Sequence, residues 1–267
     1  MPTRRLPLIL RKTINDRYLA ASMKRLLPFL LLLVIAGCHK AYQPTALQYA
    51  GYDVRDIAPD SAMLGLIAPY REKVGAAMDD VVAELPMTLI KALPDGTLGN
   101  FMADAYLAMA REKFAPSADF AYMNHGGIRL NQVQAGPLRR GTVYEVMPFD
   151  NLLVIVPVSG ALVQRFLDHI AAEGGGGVAG LTMRIRDKKA VDVRIQGMPL
   201  DTARTYMMVN SDYVVQGGGR FEGFRALPAQ KTGYLLRDAI QDYCKAFQSQ
   251  GVALPVSTEK RIIHDQP

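Results

Sequence analysis

The four apolar residues Phe120–Met123 run directly into Asn124-His125-Gly126-Gly127-Ile128-Arg129, and this join constrains the fold more than any other stretch of the chain. A short apolar run that stops at paired glycines reads as a strand ending in a loop whose backbone N–H groups can approach a ligand closely. Arg129 adds a planar fork suited to phosphate. Further on, Met147-Pro148-Phe149-Asp150-Asn151 sets a Phe in a Pro-Phe turn, a platform on which a flat ring can stack. Together these parts predict a nucleotide-binding surface.

The rest of the chain supplies a scaffold for it. From Asp60 or Ser61, either able to cap a helix, apolar residues recur at Leu64, Ile67, Val74, Met78, Val81 and Val82, with Tyr70-Arg71-Glu72-Lys73 on the wet side. After a turn at Pro94-Asp95-Gly96, a second helix is predicted over Gly99 to Lys113. It carries Met102, Ala105, Tyr106, Met109 and Ala110 on one face, and Pro116 stops it. Gly141 to Val146 alternates weakly, and Leu152 to Val158 is a continuous apolar run suited to a buried strand. A helix over Ala161 to Ala172 follows, then a flexible connector at Gly174–Gly177, which has no Lys-Ser or Lys-Thr after it and so is no Walker phosphate loop. Leu181–Ile185 and Val191–Ile195 read as a hairpin, and Tyr206–Asn210 as another strand. Gly217-Gly218-Gly219-Arg220-Phe221 makes a second glycine loop. A helix over Gly233–Gln248 and a strand near Arg261–Ile263 end the chain. This order predicts an α+β fold: one domain over residues 59–267, of mixed β-sheet with packed helices. Cys244 shares a helical face with Leu236, Ile240 and Phe247, which predicts a buried structural thiol.

The first 58 residues read differently. Met23-Lys24-Arg25 is a basic region, Leu26–Ile35 an apolar stretch of ten residues, and Ile35-Ala36-Gly37-Cys38 closes it with small residues before a cysteine. Such a stretch is too short to span a bilayer as a helix. It is similar to a bacterial lipoprotein signal, which implies lipidation of Cys38, a start at Met23 and a lipid anchor at the cell envelope, periplasmic or outer-membrane side. An ordinary secretory signal or an uncleaved anchor is the alternative. Residues 39–58 form a tether. Eight basic side chains precede residue 41 against Asp16 alone, more than the whole chain's excess of +6. The remainder is therefore near neutral and offers no case for nucleic acid.

In order along the chain, these elements resemble the C-terminal, substrate-recognition domain of the 5′-nucleotidase / UDP-sugar hydrolase family. Leu98-Gly99-Asn100 through Asp104-Ala105 is similar to its Gly-Asn-Leu-x-x-Asp-Ala helix start. Asn124 to Arg129 is similar to its Asn-x-Gly-x-Ile-Arg loop, and Pro148-Phe149-Asp150-Asn151 to its Pro-Phe turn. Asn210-Ser211-Asp212-Tyr213 through Phe221 is similar to its second glycine loop. The resemblance implies that Phe149 and Phe221 sandwich a base. It also implies that Asn124 and Arg129, with the backbone at Gly126 and Gly127, hold phosphate or ribose of a nucleotide or nucleoside. Phe149 and Phe221 as plain core residues, and Arg129 paired with an acid, are the alternatives. His125 has no assigned role.

The chain departs from the pattern in two places. The basic residue that the family carries shortly before the Gly-Asn helix start is missing from Leu93-Pro94-Asp95-Gly96, and Gly219-Arg220 stands where Asp-Gly is usual, with Arg220 as a possible replacement cation. The family's chemistry belongs to a separate metallophosphatase domain, whose two metals sit about 4 Å apart among clustered ligands. Here the only histidines are His39, His125, His169 and His264, in none of the corresponding motifs. No catalytic residue, metal ligand or cofactor is therefore expected in this chain, and divalent metals are expected only on a partner metallophosphatase subunit. The alternatives are a non-catalytic nucleotide-binding lipoprotein and a scaffold lipoprotein.

Overall fold

The computed structural model describes residues 60–265; the leader, the tether and Cys38 lie outside them. Helix α1 (Ser61–Met78) opens on Asp60, whose carboxylate accepts from the N–H groups of Ala62 and Met63 at 2.8 and 3.1 Å. These are two of the donors that a helix start otherwise leaves orphaned. There follow β1 (Val81–Leu85), β2 (Leu89–Ile90), α2 (Thr97–Lys113), β3 (Phe120–Met123), β4 (Gln132–Val133), β5 (Gly136–Arg139) and α3 (Arg140–Val146). The chain continues through β6 (Leu152–Ser159), α4 (Gly160–Ala172), β7 (Gly177–Ala179), β8 (Leu181–Arg186), β9 (Lys189–Ile195) and β10 (Met198–Pro199). It closes with β11 (Thr205–Ser211), a short α5 (Asp212–Val215), β12 (Gln230–Leu235), α6 (Leu236–Ser249) and β13 (Ile262–His264).

A five-stranded mixed sheet, in the order β12-β6-β11-β3-β7, carries the centre; only the β11–β3 pairing is parallel. Its strand β6 is apolar throughout because both of its faces are covered. Leu153 and Ile155 face a core shared with α2 and α6, whereas Val154, Val156 and Val158 face a second core shared with α4, β8 and β9. The second core also packs on a four-stranded sheet, β10-β9-β8-β13. Two antiparallel ribbons, β1 with β5 and β2 with β4, complete the α+β architecture.

Helix α2 buries the predicted face, and the Gly-Asn start of that helix proves to be a tie point. Asn100 is buried, donates to Asp95 Oδ1 at 2.6 Å and accepts from the Val178 N–H at 3.1 Å. Asp95 in turn accepts from the Arg261 N–H at 2.9 Å, and the Arg261 guanidinium meets Asp104 at 2.7 and 2.8 Å. Two distant segments, at Val178 and Arg261, are thereby fastened to the start of this helix. Cys244 is fully buried, and that burial pushes its thiol up to about 12.

Four local expectations change. The α1 stripe is not a core face: no residue of the helix is buried, and Leu64 and Val74 are exposed. Periodicity shows that a helix has an apolar side, not that another layer covers it. Asp79 and Asp80 follow the helix, so Val81 and Val82 belong to β1 instead. Gly141–Val146 lies within helix α3, where Val143 and Val146 enter the core at i,i+3 spacing. The final helix starts at Leu236, because Gln230–Leu235 pairs with β6 as an edge strand. Lastly, Gly174–Gly177 is fastened and not a flexible connector. The N–H groups of Gly174, Gly175 and Gly176 donate to the carbonyls of Ala171, Ile170 and Pro94 at 3.2, 2.9 and 3.1 Å. Gly177 lies against Gly99 so closely that a Cβ would overlap the Gly99 carbonyl.

Candidate functional site

Strand β3 ends at Met123, and the chain turns at once through a 3₁₀ segment, His125–Gly127. The Gly127 N–H closes this turn on the Asn124 carbonyl at 3.0 Å, and the Arg129 N–H donates to Val146 O at 3.0 Å. Gly127 is glycine for a steric reason: a Cβ there would meet Met123 Cε and the Asn124 side chain at 2.9 and 3.0 Å. Lys91 braces the far end of the loop by donating to Ile128 O at 2.9 Å. Burial, and secondarily the Lys91 charge, lower the pKa of His125 and favour its neutral form.

The Pro-Phe turn is held from α6. Arg237 donates to the Phe149 carbonyl at 3.2 Å and pairs with Asp150, while its guanidinium covers the Tyr144 ring at 4.8 Å. The Phe149 ring itself is left 38% exposed, a rim position and not a core one. The Arg129 guanidinium lies 5.8 Å from the centre of that ring and forms no ion pair among the described residues.

The second glycine loop follows α5, whose N-cap Ser211 accepts from the Val214 N–H at 3.1 Å. Phe221 packs at a tilt against Phe166 and Phe224, at 5.1 and 4.8 Å between ring centres, and also lies 5.6 Å from the His169 ring. His169 Nε2 sits 2.7 Å from the Gly219 carbonyl. A carbonyl only accepts, so this nitrogen carries a proton, and the contact ties α4 to the loop.

These three loops converge on one cavity of about 460 Å³, a size that suits a small-molecule ligand. Asn124, Gly126, Gly127, Arg129, Phe149 and Phe221 all line it, so every binding residue expected from the sequence reaches the same space. Arg220 does not: it is exposed and absent from the lining, although its neighbours Gly219 and Phe221 are part of it. Sequence reasoning missed Tyr122, Asn151, His169, Glu173 and Tyr213, which also line the cavity. His169 and Glu173 stand one turn apart at the end of α4, a helix that carries no recognisable motif. Among the described residues no cluster of His, Cys, Asp and Glu has the makings of a metal centre. No described helix is long and apolar enough to cross a membrane.

A mixed sheet flanked by helices, with two glycine loops and a Pro-Phe turn around a cavity, defines a domain of α+β class. The family model described as "5′-nucleotidase, C-terminal domain" matches residues 76–226, and the chain belongs to that family. It is 28% identical over 199 residues to Protein UshA of Yersinia enterocolitica, covering 71% of this chain and 35% of that relative. It is likewise 28% identical over 202 residues to the 5′-nucleotidase of Vibrio cholerae, covering 72% and 35%. The chain thus spans about a third of the length of these curated relatives. Among solved structures, the 5′-nucleotidase precursor from Thermus thermophilus superposes with a TM-score of 0.66 at 26% identity, over 79% of this chain and 45% of that one. The NAD nucleotidase of Haemophilus influenzae shares the fold, with a TM-score of 0.59 at 16% identity, over 78% and 42%.

Proposed function

We infer that this chain is the nucleotide- or nucleoside-recognition part of a nucleotide-catabolising phosphohydrolase. The observation that carries the reading is the convergence of three loops on one cavity with a rim phenylalanine, a second phenylalanine on its wall and an arginine that has no ion pair among the described residues. A base stacks on Phe149 and Phe221, Asn124 hydrogen-bonds ribose or phosphate, and Arg129 holds the phosphate. Base–aromatic stacking is worth about 1–3 kcal/mol per base, and an Arg–phosphate bond is roughly twice as strong as a neutral one. Hydrolysis itself is supplied by a separate metallophosphatase subunit carrying two divalent metals. The chain acts at the bacterial cell envelope, on the periplasmic or outer-membrane side, held by lipid on Cys38.

Calorimetric titration of the full chain with AMP and adenosine, beside Phe149→Ala, tests the recognition step. Saturable binding that the substitution weakens by about 1 kcal/mol or more is expected. Because the Phe149 ring is a rim group, the variant's thermal melting point should barely move. Absence of heat with both ligands and with GMP would leave a scaffold with this fold and no nucleotide site.

A further inference from the structure

The cavity holds an acid that the recognition reading leaves without a task. Glu173 lines it, its side chain is about half exposed, and its carboxylate accepts no hydrogen bond among the described residues. Its nearest cation candidate, His169 Nε2, is 3.9 Å away and already donates to Gly219 O at 2.7 Å. With that proton committed to the carbonyl, the nitrogen has none left to give the carboxylate. Glu173 is also the C-cap residue of α4, and the negative end of a helix dipole disfavours a carboxylate. Neither hydrogen bonding within the chain nor helix electrostatics accounts for an acid at this position.

Its surroundings point to the edge of a stacked base. Glu173 stands one turn beyond His169, whose ring rests against Phe221 at 5.6 Å. Tyr122, at the end of β3, lines the same cavity as Glu173, and burial together with the Glu173 charge pushes its phenol upward in pKa. Through His169, which is 3.9 Å from its carboxylate and rests on Phe221, Glu173 flanks the cavity wall on which a base would stack.

We propose that Glu173 selects purines that present two adjacent N–H donors, as guanine does through N1–H and the 2-amino group. An ionised carboxylate accepts two such donors side by side. Adenine offers one amino group beside a ring acceptor, and uracil one N–H between two carbonyls; each sets a lone pair against the carboxylate. A site built to hydrogen-bond a ligand's donors rejects analogues that lack them. This assignment rests on the recognition reading above and adds the base to it.

The test is titration of the full chain with GMP, IMP and AMP, for wild type and Glu173→Gln. GMP is expected to bind tighter than AMP by about tenfold or more, as for one or two charge-assisted hydrogen bonds, with IMP between them. Glu173→Gln should weaken GMP and strengthen AMP, because an amide pairs with the donor and acceptor edge of adenine. The side chain is half exposed, so the variant should melt with wild type, and a melting curve confirms that it is folded. Equal affinity for GMP and AMP, or a GMP preference unchanged in Glu173→Gln, overturns the base assignment alone. No binding of any of the three overturns the recognition reading together with it.

Discussion

Phe149 and Phe221 carry the same expected role but stand in different physical situations. Phe149 keeps its ring at the rim, anchored through its backbone by Arg237. Phe221 is buried to 9% exposure within an aromatic cluster, so it belongs to the core as well as to the cavity wall. The two readings open for Phe221 in the sequence therefore meet in the geometry: it is a packed core ring that also borders the cavity. Arg129 separates phosphate recognition from base recognition. Arg129→Ala is expected to weaken AMP by roughly tenfold or more while leaving adenosine little changed, read by the same titration. A loss shared equally by both ligands would mean that the guanidinium supports the loop and not the phosphate. The Arg129 backbone bond to Val146 survives the substitution, which keeps the variant a fair test.

At the scale of elements, one glycine pair sets the spacing between layers. Gly177 in β7 and Gly99 in α2 touch backbone to backbone, with no room for a side chain. Gly177→Ala must push the helix off the sheet edge, and a loss of about 3 kcal/mol is expected, the upper end for overpacking. Urea unfolding reads it as a lower midpoint at unchanged slope; a midpoint within error of wild type would show that the contact yields freely. Packing also explains which elements were legible in the sequence. Helix α2 and strands β3 and β6 announce themselves because a long periodic stretch or a wholly apolar run leaves one reading. The two-residue strands β2, β4 and β10 are too short to carry any period. The weak alternation over Gly141–Val146 does not decide between helix and strand, and in α3 the packing of Val143 and Val146 into the core decides it. The Gly174–Gly177 run looks mobile by composition, yet the Gly176 N–H is satisfied by the distant Pro94 carbonyl. The three loops of the site were legible because glycines and a Pro-Phe turn are local signals. Glu173 and His169 were not, because nothing local marks a residue at a helix end as facing a cavity.

At the scale of the molecule, the chain matches about a third of the length of its curated relatives, and its proposed role is recognition and not turnover. Alone, with Mg²⁺ or Mn²⁺, it is expected to release no phosphate from AMP above the uncatalysed background. Mixed with a dimetal phosphatase subunit that docks on it, release should appear and should fall with Phe149→Ala. Metal-dependent release by the chain on its own would place catalytic groups in it and contradict the division of labour. The most direct measurement is a crystal structure of the chain grown with a nucleoside monophosphate. The account predicts the base against Phe149 and Phe221, with the phosphate within hydrogen-bond distance of Arg129. A nucleotide ordered elsewhere, or an empty cavity at saturating ligand, would contradict it.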